Sequence, residues 1–165
     1  MRAVRVVPER DVSRAFVKES DDAGEPLPEL AISPHPNFVT PDGLRLVEAR
    51  IAALDAQLKA ARAADDKALL ARVNRDLRYW TQRRATARVV PPVATPDVVR
   101  FGVTVVLRYV DDGAEARFKI VGEDESEPAR GLVSFVSPLA KSLLGKSIGD
   151  EARLLERAAE IVALG

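Results

Sequence analysis

Two stretches of apolar residues, each recurring alternately every three and four positions, constrain the fold more than any other feature of the chain. The first comprises Leu44, Val47, Ile51, Leu54, Leu58 and Ala61, and the second comprises Leu70, Val73, Leu77, Trp80, Arg84 and Ala87. Each is the pattern of a coiled-coil helix. Because the two patterns are out of phase, one straight helix cannot present both to one partner. We therefore predict an antiparallel helical hairpin that reverses near residues 63–67, with arms of about 35 Å at 1.5 Å per residue.

The segments on either side of this hairpin are rich in proline. Thr40-Pro41 predicts the start of the first helix, with Thr40 as N-cap and proline at the first helical position. Three prolines after residue 90 end the second helix and mark a linker at residues 91–97. Residues 1–39 contain five further prolines and an acidic patch from Glu19 to Glu25, a composition typical of an extended or disordered tail.

Beyond the linker the apolar pattern changes to a period of two. Residues 103–109 and 114–121 alternate and are joined by Asp111-Asp112-Gly113, which predicts a β-hairpin. Further strands are expected at residues 131–136, 151–155 and 158–164, with a short helix that begins at Ser137-Pro138 and is closed by Gly145. The chain is therefore predicted to be α+β: a tail (1–39), a coiled-coil hairpin (40–90), a linker (91–97) and a small antiparallel sheet packed on one helix (98–165).

Composition excludes several classes of protein. The chain has no cysteine, which excludes disulfides, thiolate zinc sites and cysteine nucleophiles, and its single histidine, His35, cannot supply a metal site alone. No run of about 18 apolar residues is present, so we expect no membrane association and a cytoplasmic location. The formal net charge is zero, so any attraction to nucleic acid must come from local asymmetry.

Several blocks of the second half resemble the C-terminal domain of the GreA/GreB transcription elongation factors. The resemblance rests on residues 99–105, 120–125, 136–146 and 149–151, including Val136-Ser137-Pro138-Leu139-Ala140-Lys141. Upstream, Val39-Thr40-Pro41-Asp42-Gly43 is similar to the start of that family's coiled coil. Leu77-Arg78-Tyr79-Trp80 and the residues up to Val90 resemble the base of its second helix, in the form found in the GreB branch.

The resemblance implies a division of labour. It implies an FKBP-like C-terminal domain that docks on RNA polymerase at its secondary channel, with Ser137, Pro138 and Leu139 as the candidate docking edge. The coiled coil would enter the channel, where acidic residues at the tip help to hold a magnesium ion of the polymerase that cleaves backtracked RNA. Asp65 and Asp66 are the acids at the predicted tip. The chain would then hold no metal or cofactor of its own and would have no catalytic residue, at most assisting hydrolysis by the polymerase.

Each candidate site also has a structural interpretation. Ser137-Pro138-Leu139 can serve to cap and pack the short helix, and Asp65 or Asp66 can cap the second helix. The two tip acids are adjacent, whereas the family's cleavage factors carry acids three residues apart, and the arms are shorter by our estimate of one to two turns. The basic residues of the second helix, among them Arg72, Arg75, Arg78 and Arg83, can lie within reach of the RNA or the acidic channel wall of the transcription complex, or form a solvated face. The acidic run at residues 123–127 is expected to be a surface loop, and Trp80 to be core.

Three other functions remain to be weighed. The first is a short-armed polymerase binder that does not support cleavage and competes with cleavage factors, similar to the regulators of nucleoside diphosphate kinase that share this domain. The second is a peptidyl-prolyl isomerase, which the FKBP-like fold suggests, although fold does not establish function. The third is a self-associating coiled-coil scaffold. Because the apolar stretches of the two helices, which we call the seams, pack against each other within one hairpin, we expect a monomer instead.

Overall fold

A computed structural model of the chain describes residues 27–154 and 156–165. The acidic patch at residues 19–25 and most of the predicted tail therefore lie outside the described residues. None of the helices within the described ranges has the length and apolarity that a bilayer-spanning helix requires.

The helical hairpin is confirmed. Helix α1 spans Pro41–Ala63 and helix α2 spans Lys67–Thr86. The Thr40 side chain caps α1 by accepting a hydrogen bond from the backbone N–H of Gly43. The predicted seams face each other: three residues of α1 and one of α2 are fully buried, namely Val47, Leu54, Ala61 and Val73. Toward the base, Arg84 remains exposed and closes the seam with an ion pair to Glu48 of α1, at 3.0 Å.

The last residues of the predicted tail are ordered against the base of the hairpin. Strand β1, Phe38–Val39, pairs in parallel with strand β2, Arg88–Val89, which follows α2. Beside it, the buried side chain of Asn37 donates a hydrogen bond to the Arg83 carbonyl at 2.6 Å. Two-residue strands carry too little periodicity to be recognised in a sequence, which is why this pairing was not predicted.

The second half forms one five-stranded sheet in the order β5-β4-β3-β7-β6. Its strands are β3 Thr104–Tyr109, β4 Glu115–Val121, β5 Leu132–Ser134, β6 Glu151–Leu154 and β7 Arg157–Leu164. The sheet was predicted to be antiparallel, and it is so except between β4 and β5, which pair in parallel. The chain between them makes two short 3-10 turns, Glu123–Glu125 and Pro128–Arg130, and this connection is long enough to bring it back alongside β4 in the same direction.

The short helix α3, Pro138–Leu143, packs on this sheet. Its residues Ala140 and Leu143 join a core that contains Val103, directly before β3, and the strand residues Val105, Leu107, Ile120, Ala152, Ala159 and Ile161. These strand residues alternate along β3 and β7 because side chains of a strand point to opposite faces. The fold is therefore α+β, as predicted, with a coiled-coil hairpin followed by a mostly antiparallel sheet and one helix.

Candidate functional site

The predicted docking residues lie at the start of α3. The Ser137 hydroxyl accepts a hydrogen bond from the backbone N–H of Ala140 at 3.1 Å, and Pro138 occupies the first helical position. Beyond the other end of the helix, Gly145 adopts a left-handed φ of 84°. The capping role is therefore present, and it fixes the position of the three residues at the surface.

The same residues line an open groove of about 490 Å³ between α3, β5 and β6. Its lining is Val133, Ser137, Pro138, Leu139, Ser142, Arg153 and Leu154. Most of these side chains are apolar, and Arg153 supplies the one formal charge. Concave apolar surfaces with a few polar groups are where partner side chains bind in proteins. Capping and docking are thus compatible uses of Ser137, Pro138 and Leu139.

The hairpin tip places Asp65 and Asp66 side by side in different environments. Asp65 adopts a left-handed backbone conformation, with φ of 48°. Asp66 is the N-cap of α2, and its Oδ1 accepts a hydrogen bond from the backbone N–H of Leu69 at 2.9 Å. Across the described part of the chain, no three His, Cys, Asp or Glu side chains gather closely enough to hold a metal ion.

The basic residues of α2 do not form one open face. Arg72 is exposed, whereas Arg75 pairs with Asp76 at 2.8 Å, and Arg78 pairs with Glu29, which precedes the hairpin. The hydrogen bond to Arg78 holds the pKa of the Glu29 carboxyl below its usual range. The prediction that Arg83 belongs to this face was wrong, because its side chain is only 2% exposed.

Arg83 instead belongs to a buried joint between the hairpin and the sheet. Its Nε donates to Asp124 Oδ2 at 2.5 Å, and the Tyr79 hydroxyl donates to Asp124 Oδ1 at 2.8 Å. Burial, together with the hydrogen bond to Asp124, raises the pKa of Tyr79 to about 12. An Asp that accepts from both a guanidinium and a phenol can be buried at low cost, since both of its oxygens are satisfied.

The neighbouring Glu125 completes the joint at the start of α1. Its carboxylate accepts hydrogen bonds from the Thr40 backbone N–H at 2.8 Å and from the Thr40 hydroxyl at 2.6 Å. A negative charge at this position also stabilises the N-terminal end of the helix dipole. A Cβ added to Gly43 would lie 2.0 Å from the Glu125 side chain, so the approach requires glycine. The prediction of a solvated surface loop was therefore wrong for Asp124 and Glu125.

Aromatic residues also hold the two parts together. Phe38 of β1 packs against Phe101 and Phe135 of the second half, with ring centroids 6.0 and 5.6 Å apart. Phe101 and Phe135 contact each other as well, at 5.8 Å. Both rings are therefore engaged in a cluster with the hairpin base, which argues against their lining an isomerase pocket. Trp80, predicted to be core, is half-buried and lines a groove with four residues of α1: Leu46, Ala49, Arg50 and Ala53.

Comparison with known proteins identifies the second half of the chain. The family described as "Transcription elongation factor, GreA/GreB, C-term" matches residues 94–162. Residues 94–162 match the GreA/GreB C-terminal domain, and they make up less than half of the chain. The sequence resemblance that led to this expectation is thus confirmed.

The curated relatives support the same family. The transcription elongation factor GreA of Helicobacter pylori (strain G27) is 49% identical over 67 residues, which cover 40% of this chain and 41% of the relative. GreA of Psychrobacter cryohalolentis is 46% identical over 70 residues, covering 41% and 44%. The chain thus matches less than half the length of these relatives, and the matched length is about that of the GreA/GreB domain.

Solved structures of GreA-type proteins also overlap the chain. The GreA/GreB factor of Nitrosomonas europaea is 20% identical, with a TM-score of 0.40, and the overlap covers 77% of this chain and 97% of that one. GreA factor homolog 1 of Thermus thermophilus is 18% identical, with a TM-score of 0.39 and coverage of 78% and 97%.

Proposed function

We propose that this chain is a transcription elongation factor that binds RNA polymerase at the mouth of its secondary channel. The observation that carries the proposal is the GreA/GreB C-terminal domain at residues 94–162, whose curated relatives are named transcription elongation factors. In this proposal the polymerase is the partner, RNA and DNA are met only within the transcription complex, and hydrolysis belongs to the polymerase. The chain binds the polymerase and positions its helical hairpin in the channel.

The groove beside α3 is the surface that we assign to docking. Pro138 and Leu139 lie at its edge with Ser137, and the cap of α3 holds them in a fixed conformation. A surface that is rigid before binding loses little conformational entropy when the complex forms. Burying one apolar side chain such as Leu139 contributes about 1.5–3 kcal/mol, so a few such contacts can supply most of the affinity of a modest interface.

A charge placed in the groove tests this assignment. Pro138→Glu should weaken binding to core RNA polymerase by at least about 2 kcal/mol, or about 30-fold, because it buries an unpaired carboxylate in the interface. The variant should remain folded, since glutamate is well tolerated in the first turn of a helix.

The matched control is Ile148→Glu, which introduces the same charge at an exposed apolar residue that does not line the groove. This variant should bind as the wild type does. Binding by a folded Pro138→Glu protein that equals that of Ile148→Glu would remove the groove from the interface.

The geometry of the tip favours a second, narrower proposal, in which the factor occupies the channel without supporting cleavage. Asp66 already uses one carboxylate oxygen to cap α2, and Asp65 is held in a left-handed conformation beside it. The arms of 23 and 20 residues correspond to about 34 and 30 Å. Magnesium requires near-octahedral ligands at about 2.0–2.1 Å. A carboxylate oxygen that points elsewhere, or a hairpin too short to reach the ion, would therefore not coordinate it.

Cleavage of a backtracked complex separates the two modes. In the narrower proposal the wild-type chain gives negligible stimulation and inhibits an authentic cleavage factor by competition. Strong stimulation by the wild type that is abolished in Asp65→Asn/Asp66→Asn would establish the cleavage mode instead. Binding and stability serve as controls, because asparagine caps a helix nearly as well as aspartate.

A further inference from the structure

An open groove of about 480 Å³ lies between the two helices near the base of the hairpin. It is lined by Leu46, Ala49, Arg50 and Ala53 of α1 and by Trp80 of α2. The α1 residues occupy positions i, i+3, i+4 and i+7, which form one face of a helix. Leu46 is 45% exposed on this mostly apolar face. Packing of α1 against α2 therefore leaves part of the apolar surface of α1 uncovered.

A second recess, of about 300 Å³, continues this groove where the hairpin meets the sheet. Leu46 lines both recesses and so joins them. The other walls of the second recess include Gly43, Lys119, Val121, Arg130 and Leu132. We call the two recesses together the base groove. Among the described residues, none lines both the base groove and the docking groove beside α3.

The acidic residues that line the base groove are already bound within the chain. Asp42 forms an ion pair with Arg45, which follows it by one turn of α1. Glu125 accepts hydrogen bonds from Thr40 through both of its carboxylate oxygens. Neither acid therefore provides a free negative charge for the cations of the groove.

The cations of the base groove are less well matched. Arg130 forms an ion pair with Glu127, at 3.1 Å. Within residues 27–154 and 156–165, Arg50 and Lys119 form no ion pair. The charge of the groove is therefore complementary to an occupant that carries acidic residues beside an apolar surface.

The shape of the groove fits a helix better than a nucleic acid strand. Single-stranded nucleic acids bind by stacking on several aromatic rings along a cationic track. Trp80 is the one aromatic residue of the lining, and it is half-buried, with Tyr79 edge-on at 5.3 Å. An amphipathic helix instead inserts apolar anchors at positions i, i+3 or i+4, and i+7 into an apolar groove. The small side chains of Ala49 and Ala53 allow the close approach that such packing needs.

We propose that the base groove binds an acidic amphipathic helix of a partner protein. The apolar face of that helix packs on Leu46, Ala49 and Ala53, and its acidic residues meet Arg50 and Lys119. The seven residues from Leu46 to Ala53 correspond to about 10 Å, so about two turns of the partner lie along α1. The surface is separate from the one assigned to polymerase docking, and the inference does not depend on that assignment.

Trp80 reports on occupation of the groove, because it is the single tryptophan of the chain. The probe is a synthetic peptide of about 18 residues, long enough to form a helix, with leucine at every third or fourth position and glutamate and alanine elsewhere. Its addition should shift the Trp80 emission to shorter wavelength in a saturable manner. The same peptide with lysine in place of glutamate should bind at least about tenfold more weakly. Equal binding of the two peptides, or an unchanged emission, would overturn the proposal.

Two variants test the cationic and the apolar contacts separately. Arg50→Glu/Lys119→Glu should weaken binding of the acidic peptide by about tenfold or more, because attraction becomes repulsion. Its control, Lys59→Glu/Arg72→Glu, makes the same change of net charge at exposed residues outside the groove and should bind as the wild type does. Leu46→Ser should also weaken binding by about tenfold, through loss of one buried apolar side chain. Circular dichroism verifies that each variant is folded.

Other occupants give different results. Equal affinities of the two charge-reversal variants, or full binding by Leu46→Ser, would contradict the assigned contacts. A single-stranded oligonucleotide that shifts the Trp80 emission at lower concentration than the acidic peptide would assign the groove to nucleic acid. An emission shift that follows protein concentration without any peptide would assign it to a second copy of the chain. Each of these results would overturn the proposal.

Discussion

Replacement of Arg83 by methionine should destabilise the protein far more than the same change at the neighbouring Arg84. The Arg83 and Asp124 side chains are 2% and 10% exposed, whereas Arg84 and its partner Glu48 are 56% and 44% exposed. Removing one partner of a buried ion pair costs about 3–5 kcal/mol because the other charge is left buried. Asp124 would retain the hydrogen bond from Tyr79, so we expect the lower end, about 3 kcal/mol. An exposed pair such as Arg84–Glu48 contributes about 1 kcal/mol or less.

Urea unfolding followed by circular dichroism at 222 nm measures both variants. With a dependence of about 2 kcal/mol per molar urea, Arg83→Met should lower the midpoint by about 1.5 M and Arg84→Met by about 0.5 M or less. Adding Asp124→Leu to Arg83→Met should recover at least half of the loss, because the unpaired carboxylate is then removed. Equal midpoints for the two single variants, or no recovery in the double variant, would refute the buried joint.

Two other perturbations probe the hairpin and its contact with the sheet. Leu54→Asp buries a charge between the two helices and should unfold the hairpin. Residues 98–165 should remain as a fragment that resists proteolysis. Simultaneous unfolding of the hairpin and residues 98–165 would contradict an independently folded C-terminal half. The phenol of Tyr79 should ionise near pH 12, seen as the difference in 295 nm absorbance between the wild type and Tyr79→Phe. Since this pKa is raised above the unfolded value of about 10, the stabilisation is present below pH 10 and is lost as pH rises toward 12. A difference spectrum that titrates near pH 10 would show that the Tyr79 contact is absent in solution.

Periodicity predicted what depends on local spacing. Val47, Leu54 and Ala61 recur on one face of α1, and their burial follows directly from that pattern. The same reasoning located α3, because a Ser-Pro start and a glycine end are local signals. The sequence carries no such local signal for which residues of distant segments contact each other. Arg83 and Asp124 are 41 residues apart, and each resembles an ordinary surface charge in the sequence.

A local clue to the joint was nevertheless present. Several acids directly follow β4, at the end of a buried strand, while the hairpin base carries an excess of arginine. Charged residues that follow a buried strand lie close enough to the core to form buried ion pairs with residues of a neighbouring element. The parallel pairing of β4 with β5 was missed for a related reason, since the two 3-10 turns that redirect the chain lie within this acidic run and the residues after it.

Competition on the polymerase tests the central claim most directly. A fluorescently labelled form of this chain is titrated with core RNA polymerase, and an unlabelled authentic GreA protein is then added to the complex. The proposed function predicts saturable binding that GreA displaces completely, because both use the same docking site. Absence of binding, or binding that an excess of GreA leaves unchanged, would contradict the assignment of this chain to the secondary channel of RNA polymerase.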